Sequence, residues 1–493
     1  MKKIPVVLLI TAAFLLLEAH RTSAQAIKFN HFYGSRQYNY GKRIIESGDR
    51  SLFILGNVSA DEGNTNISII KTDSLGIIVF EKYIGDGQVY WANDFIRTSD
   101  QGFLICGLSN KFPDNGYDFL LIKTDSNINV EWEKQYGGAG WDIANAVIET
   151  KDSAYVIVGS TYSYGPANEN IHVVKTNYQG DTLWTKTFGG DSTDYATSVD
   201  VLYDSTYLIG ANTNSFGYGN YDGYILNLAL SGDTIWTKNY GEDKEDFLNS
   251  IKQTPDSGFI FVGSTKSYGA TSTEFWLRKY DKNKSIMWKV PEPWDISGID
   301  RAYNDVNTDD SANILLTGYA YLSGKKDIFF YKFKSYWSFI CSFVRGSDGD
   351  AEGFQVIPTR DKGYAVVATI KGPGPELSDI YVTKIGSDCS FSNTDEHILA
   401  VEEPSISQQS LIAGLSPSVS DGHYSIHFNK ERNETCRIAV YNLFGQVIFS
   451  DQYTPSNGSL YYIDITNQAG GIYFVEISDS ESRSIFKIIK TGI

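Results

Sequence analysis

Four tryptophans recur at a constant step along this chain of 493 residues. Trp132, Trp184, Trp236 and Trp288 are each separated by 52 residues, and Phe80 lies one further step upstream. Residues that end apolar runs repeat at nearly the same interval, at Gly56, Gly107, Gly159, Gly210, Gly263, Gly318 and Ala368. The segment from Ile27 to Asp388 therefore holds seven copies of about 52 residues. A chain with this repeat has to fold as an array of similar units.

Each copy is predicted to form four short strands. In the third copy the β-branched and aromatic segments are 144–150, 154–160, 171–176 and 182–188. Asp, Ser, Gln and Gly occupy the short turns, as antiparallel hairpins require, and no helical period appears. Four-stranded units repeated every 40 to 50 residues or so are typical of a β-propeller. We therefore predict an all-β fold with a seven-bladed β-propeller over residues 25–389.

The seventh copy lacks a phrase that the other copies contain. Trp132-Glu-Lys-Gln-Tyr-Gly and its equivalents at Trp184 and Trp236 have no counterpart after 379–384. The missing phrase resembles Phe29-Asn-His-Phe-Tyr-Gly34, near the start of the chain. We therefore predict that this N-terminal strand is the outermost strand of the last blade. Such a closure joins the two ends of the ring and removes exposed sheet edges.

Polar residues that recur with the repeat are interpreted as architecture. They are Asp142, Asp194 and Asp246, the strand lysines Lys71, Lys123, Lys175 and Lys279, and the Thr-x-Asp-x-Gly turns that begin at Thr98, Thr254 and Thr359. A group present in most copies serves a need that every copy has, such as pairing a buried charge or satisfying buried polar atoms.

Function is expected where the copies differ. The ligand-binding candidates are aromatic residues placed between blades, Trp91, Trp141, Tyr195 and Phe247, and Trp294 in the insertion 290–298. Other aromatic residues in the same connections are Tyr40, Tyr90, Tyr164, Phe216, Tyr218, Tyr221 and Tyr268. Exposed rings flanked by Asn, Asp and Gly suit stacking on sugars or anchoring a peptide. The alternative is that several of these rings pack beneath their own loops.

Charge and the N-terminus bear on location. Lys and Arg total 42 against 59 Asp and Glu, a net charge of −17, which disfavours nucleic acid and anionic membrane surfaces as partners. Met1-Lys2-Lys3 precedes an apolar run from Ile4 to Leu17 and small residues up to Ala24. This order predicts a secretory signal peptide over residues 1–24, with a membrane anchor as the alternative.

Cofactors and catalysis have little support in the sequence. Four Cys and six scattered His include no metal-binding spacing, so no cofactor is predicted. Calcium at Ser347-Asp348-Gly-Asp350 stays an alternative without an EF-hand pattern. Cys341 and Cys389 are placed so that they could pair, whereas Cys106 is predicted to be a buried thiol.

No catalytic residue is assigned, although a hydrolase using two of the carboxylates between blades stays an alternative. Those carboxylates are Asp86, Asp142, Asp191, Asp348 and Asp350.

The last part of the chain follows a different pattern. Residues 390–410 are predicted to be a polar linker, and 411–493 to fold as a small Ig-like β-sandwich of six or seven strands. Arg437-Ile-Ala-Val-Tyr-Asn-Leu-Phe-Gly445, Gly471-Ile-Tyr473-Phe-Val and Phe486-Lys487-Ile resemble the type A C-terminal sorting domain of type IX secretion in Bacteroidota. Leu415-Ser-Pro417 departs from the opening Tyr-Pro-Asn-Pro of that family. The repeats are similar to those of secreted Bacteroidota propellers.

The resemblance implies an export route and partners. Gly445, Gly471, Tyr473 and Lys487 would belong to the sorting-domain motif, and the domain would engage the type IX secretion machinery. The cargo would be extracellular or on the outer-membrane surface, with lipopolysaccharide attachment after processing as one fate. The sequence thus predicts a secreted or cell-surface binding or adhesion propeller for a glycan or protein ligand. The alternative is a secreted propeller hydrolase acting on polysaccharide or peptide.

Overall fold

The computed structural model describes most of the chain from residue 26 to residue 490. The residues not described within that span are 35–37, 62–63, 112–115, 167–168, 271, 290–300, 323, 347–348, 372–377, 393–394, 399–411, 417–418, 421, 429–434, 443–446, 457–458, 470 and 479–482. The predicted signal peptide and Trp294 therefore lie outside the described residues. Two compact units divide at Ala400 and Val401. No helix of membrane-spanning length and hydropathy occurs in the described ranges.

The first unit is all-β, and its strands form seven antiparallel groups of four, called here blades 1 to 7; a parallel pair of Tyr38 with Ser378 joins blades 1 and 7. Blade 1 comprises Tyr38–Glu46, Leu52–Asp61, Asn64–Thr72 and Ile78–Ile84, and blade 2 comprises Tyr90–Arg97, Phe103–Ser109, Asp118–Thr124 and Val130–Tyr136. Blade 3 comprises Asp142–Glu149, Tyr155–Thr161, Asn170–Thr176 and Thr182–Phe188, and blade 4 comprises Asp194–Val201, Tyr207–Thr213, Asp222–Leu228 and Thr234–Tyr240. Blade 5 comprises Asp246–Gln253, Phe259–Thr265, Glu274–Tyr280 and Ile286–Lys289, and blade 6 comprises Arg301–Thr308, Ile314–Leu322, Lys325–Phe333 and Phe339–Arg345. Blade 7 comprises Ala351–Pro358, Tyr364–Lys371, Ser378–Ile385 and the N-terminal strand Phe29–Tyr33.

Apolar side chains bury the faces between successive blades. Each of the seven clusters of buried residues in this unit draws on two neighbouring blades, and one of them joins blade 7 to blade 1. The first strand of every blade also contacts the first strands of both neighbours. The first strands therefore line the centre of a closed ring, and the fourth strands lie at its periphery. The predicted all-β propeller is confirmed.

Closure by the N-terminal strand is also confirmed. Phe29 pairs with Lys384 and Tyr33 with Ile380, in the antiparallel register of a fourth strand. The Tyr33 hydroxyl donates to the Gly76 carbonyl at 2.7 Å, across the joint between blades 7 and 1. Tyr136, at the same place in its own phrase, donates in the same way to Gly180 of the next blade at 2.6 Å. In these two blades the Tyr hydroxyl thus forms a hydrogen bond to the neighbouring blade.

One strand lies where the sequence predicted a linker. Glu396–Ile398 pairs in parallel with Phe29–Tyr33 and adds a fifth strand to blade 7. The N-terminal strand would otherwise offer an open sheet edge, and this segment covers it. Nearby, a disulfide joins Cys341 in the fourth strand of blade 6 to Cys389 after the third strand of blade 7. Cys106 is a buried free thiol, as predicted.

The recurring Asp residues hold the ends of strands within each blade. Asp194 is fully buried, and its carboxylate accepts from the Ser215 hydroxyl at 2.6 Å, the Gly190 amide at 2.8 Å and the Thr213 hydroxyl. Asp246 makes the equivalent bonds in blade 5. These carboxylates tie the turn before the first strand to the loop after the second strand, because a buried charge needs several donors.

The strand lysines and the Thr-x-Asp-x-Gly turns prove to be two halves of one contact. Lys123 Nζ lies 2.8 Å from Asp100 Oδ2, and Lys384 Nζ lies 2.6 Å from Asp361 Oδ2. Asp100 also accepts from the Thr98 hydroxyl at 2.6 Å, so the turn presents its carboxylate to the third strand. The structural interpretation of both repeats is therefore supported.

The second unit contains two sheets. Ile412–Ser416, His423–Phe428 and Leu460–Asp464 form one sheet, and Val419–Ser420, Arg483–Lys490, Gly471–Ser478, Cys436–Asn442 and Val447–Tyr453 form the other in that spatial order. A single apolar cluster takes residues from both sheets, among them Ile426 and Ile463 from the first and Val440 and Val475 from the second. The two sheets thus pack face to face over one core.

Candidate ligand-binding site

The predicted aromatic residues lie at one end of the first strands rather than in loops. Trp91, Tyr195 and Phe247 are each the second residue of a first strand, and only Trp141 precedes its strand. The prediction of loop placement was wrong for the first three, because each strand already pairs at that point. Trp91 is opposite Leu108, and Tyr195 is opposite Asn212. Because the backbone at these positions is paired in a sheet, the rings project from a rigid element.

Trp91 and Trp141 line the same cavity. Its volume is about 430 Å³, and the other lining residues are Thr65, Val89, Leu108, Tyr117 and Ile143. All of these except Thr65 present apolar or aromatic surface. The cavity lies at the meeting of blades 1, 2 and 3, on the rim formed by the starts of the first strands. Its size and character are those of a small-molecule site.

The rings of this cavity are held in place by specific contacts. The Trp91 indole N–H donates to Asn93 Oδ1 at 3.1 Å, and the Tyr40 ring centroid lies 5.4 Å from that of Trp91. Tyr117 meets Trp141 edge to face, with ring centroids 5.2 Å apart. Trp141 is still 53% exposed, so about half of its surface is accessible to a ligand.

A second aromatic group occupies the equivalent place in blades 4 and 5. The Tyr221 ring centroid lies 6.3 Å from that of Tyr195 and 5.3 Å from that of Phe247. Burial raises the pKa of the Tyr195 hydroxyl above its usual value. The structure thus divides the described candidates into two groups, Trp91 with Trp141 and Tyr195 with Phe247.

Several aromatic residues of the connections play other roles. Tyr90 is buried between blades 1 and 2, as the packing alternative predicted. Tyr164, Phe216 and Tyr218 are exposed on the loops between second and third strands. Tyr164 donates to the Gly137 carbonyl at 2.5 Å and stacks on His172, so its ring braces the loop.

The carboxylates proposed for hydrolysis are already engaged or lie apart from the cavity. Asp142 is fully buried and accepts from Ser163 at 2.6 Å, while Asp86 lies 3.3 Å from Lys111 Nζ. Asp350 accepts from the Lys326 amide at 3.1 Å. Asp191 is exposed, and Asp348 lies outside the described residues, as does half of the suggested calcium loop. Within the described ranges, no three His, Cys, Asp or Glu residues are grouped as metal ligands.

One residue of the cavity lining, Tyr117, and one neighbour of Trp91, Lys42, escaped prediction from the sequence. Tyr117 precedes its third strand as Tyr221 does in blade 4, so its alignment with Tyr221 was the available signal. Lys42, beside Trp91, stands at a position where four other copies have Asn. Comparing that position across the copies would have revealed it, but its contacts depend on two blades that are distant in sequence.

The sorting-domain residues lie in the second unit. Tyr473 is buried, and its hydroxyl donates to the Ala469 carbonyl at 2.7 Å. Gly471 begins the strand Gly471–Ser478, and Lys487 pairs with Phe474 in the neighbouring strand. Gly445 lies outside the described residues.

Comparison with known proteins identifies the C-terminal segment. Residues 417–491 match the family model of the secretion system C-terminal sorting domain. This match indicates export by the type IX secretion system to the cell surface or the extracellular space, and engagement of that machinery. No curated protein matches the chain.

Solved structures similar to this chain include one protein from Pseudomonas aeruginosa and one from Drosophila. The periplasmic gluconolactonase of Pseudomonas aeruginosa is 7% identical, with 87% of this chain and 99% of that chain covered and a TM-score of 0.43. Drosophila Plexin A, solved in complex with Semaphorin 1b, is 8% identical, with 73% and 87% covered and a TM-score of 0.41. These similarities do not indicate an activity or a ligand for this chain.

Proposed function

We propose that this protein is an exported binding or adhesion propeller that holds a glycan in the cavity between Trp91 and Trp141. The observation that carries the proposal is the meeting of two predicted tryptophans in one apolar cavity of about 430 Å³. A sugar ring has an apolar C–H face that packs on an indole, while its hydroxyl groups stay in water. The half-exposed Trp141 offers such a face.

Export supports the same proposal. A protein delivered to the surface or the medium meets polysaccharides and glycoproteins, and a ring of seven blades presents a rigid rim to them. Rigid placement matters because a preorganised site loses little entropy on binding. After export, the propeller is released or attached to surface lipopolysaccharide, which determines whether it acts as a soluble binder or as an adhesin.

Binding is preferred over hydrolysis on one observation. Glycoside cleavage needs a pair of carboxyl groups about 5 to 10 Å apart on either side of the bond. The described lining of the Trp91–Trp141 cavity contains no carboxyl group. The cavity is therefore better suited to holding a sugar than to cleaving it.

A glycan array tests the proposal. The purified full chain is applied to the array, and the affinity for each bound glycan is then measured by titration with the Trp141→Ala variant. We expect a loss of at least about tenfold, equivalent to about 1.4 kcal/mol, because a stacked ring loses its partner. Tyr203→Ala is the matched control, since Tyr203 is 78% exposed in the turn between the first two strands of blade 4.

Two outcomes would contradict the proposal. Glycan binding that survives unchanged in both Trp141→Ala and Trp91→Ala would place the site elsewhere. An absence of glycan binding, together with capture of a protein ligand that Trp141→Ala abolishes, would replace the glycan by a protein at the same cavity.

A further inference from the structure

Every first strand carries a β-bulge at the same place, and the bulged residues form a ring around the centre of the propeller. They are Lys42, Asn93, Asn145, Thr197, Asn249, Asn304 and Phe354. In five blades the side chain of this residue donates to a backbone carbonyl of the next blade at 2.8 to 3.1 Å. The side chain of the bulged residue thus bonds one blade to the next, and this hydrogen bond is called here the clasp.

Lys42 and Phe354, which are neighbours in the ring, depart from this pattern. Lys42 Nζ lies 4.7 Å from the ring centroid of Phe354 and 5.5 Å from that of Trp91. Among the described residues it has no hydrogen bond or ion pair, and its side chain is partly buried. In blade 1 the bulged residue therefore offers a cation near two aromatic rings, where most other blades have a side-chain hydrogen bond to the next blade.

The charges around Lys42 are already engaged elsewhere. Glu352 Oε2 lies 2.8 Å from Lys326 Nζ, and Glu352 Oε1 accepts from Asn304 at 2.9 Å. Arg43, the next residue along the strand, pairs with Asp94 at 2.7 Å. Burial, followed by repulsion from Arg43, lowers the pKa of Lys42 to about 8. The ammonium is thus a partly desolvated cation that forms no ion pair with the described residues, although the charge of Glu352 acts on it.

This cation stands beside the proposed glycan cavity, because the Trp91 ring belongs to both. We infer that the site recognises an acidic sugar, whose ring packs in the cavity and whose carboxylate pairs with Lys42. This inference rests on the proposed function and narrows its ligand to glycans that carry a uronic acid. A carboxylate would supply the charge-assisted hydrogen bonds that Lys42 Nζ lacks among the described residues.

A sugar acid fits the surroundings better than an acidic peptide. A peptide laid in the cavity would bury several backbone amides against a lining whose side-chain hydroxyls, among the described residues, are those of Thr65 and Tyr117, at a cost in unmet hydrogen bonds. The net charge of −17 also opposes a long polyanion and favours a single acidic residue at the end of a neutral glycan.

Matched ligands test this inference. The probes are a trisaccharide ending in glucuronic acid, its methyl ester, and the same trisaccharide ending in glucose, titrated into the full chain. We expect the acid to bind at least about tenfold more tightly than the ester, since only the acid can accept a charge-assisted hydrogen bond from Lys42. In Lys42→Asn the acid should bind no better than the ester, while the affinity for the ester stays unchanged.

The variants are chosen so that folding is not in question. Asn is the residue found at this position in blades 2, 3, 5 and 6, so Lys42→Asn restores the clasp, and its thermal midpoint should match that of the wild type. Lys42→Arg keeps the charge and should keep the preference for the acid. Lys266→Asn, which removes an exposed lysine paired with Glu245 at 2.6 Å in blade 5, should leave the preference intact.

The possible failures are distinguishable. Equal binding of acid and ester by the wild type, or a preference that survives in Lys42→Asn, would overturn the inference while the glycan site stands. Tighter binding of a triglutamate peptide than of the sugar acid would also overturn it. An absence of binding by all three trisaccharides, or binding that Trp141→Ala leaves unchanged, would overturn the proposed function as well.

Discussion

Lys42 gives one blade a charged side chain at a position where four other blades have Asn. Most polar side chains at its position clasp the next blade, and their role follows from the repeat alone. The ammonium of Lys42 has no such bond among the described residues, and its pKa of about 8 places its titration within reach of experiment. The charges that act on it are Arg43 on its own strand and Glu352 on the first strand of blade 7.

The affinity for an acidic sugar should therefore depend on pH. Only the ammonium form pairs with a carboxylate, so the affinity should be constant below the free pKa of Lys42 and should fall above about 8 until it equals the affinity for the methyl ester. Titrations of the glucuronic acid trisaccharide from pH 6.5 to 9.5 or so would measure this. Lys42→Arg should show no fall, because guanidinium stays protonated throughout. An equal fall in both proteins would assign the titration to another group.

Sequence reasoning at the residue scale succeeded where the copies agree. The repeated aspartates such as Asp194 and the repeated lysines such as Lys123 were correctly interpreted as structural residues. Each blade has the same buried contacts to form, so the residues that form them recur at the repeat interval. The role of Lys42 was not predicted from the sequence. Its ammonium lies near the rings of Trp91 and Phe354, and Phe354 is more than three hundred residues away from Lys42 along the chain. Contacts across the closure of the ring are invisible to a comparison of adjacent copies.

At the scale of elements, the closing strand illustrates both success and error. Phe29–Tyr33 was predicted because its phrase completes the seventh copy, and the register confirms it. The strand Glu396–Ile398 was not predicted, since three residues in a polar segment have no periodicity to detect. Its pairing depends on an open edge that exists only after the ring has closed.

The disulfide at this joint should contribute measurably to stability. Cys341 and Cys389 are 48 residues apart in sequence, and closing a loop of that length is worth about 4 kcal/mol in the loop-entropy model. The double variant Cys341→Ser/Cys389→Ser should lower the free energy of unfolding in urea by about that amount, and reductant should lower the wild-type value equally. Reductant should not affect the double variant. An unchanged urea midpoint in the double variant would show that the joint is held without this bond.

The whole molecule combines a rigid ring with an exported C-terminal unit. Seven apolar clusters close the ring, and the match over residues 417–491 gives its export route. Deleting 411–493 should therefore leave the propeller in the periplasm, because the signal for the second membrane has been removed. Cell fractionation and surface labelling would measure this. Surface delivery that continues unchanged after the deletion would contradict the assignment of sorting to this segment.

The rim cavity of blades 1 to 3 is the proposed site of a sugar ring. A crystal structure of the full chain with the glucuronic acid trisaccharide tests it most directly. We predict electron density for a sugar ring against Trp91 and Trp141, with its carboxylate within hydrogen-bonding distance of Lys42 Nζ. Density for the sugar at another place on the propeller, with this cavity free of ligand, would rule out this cavity as the glycan site.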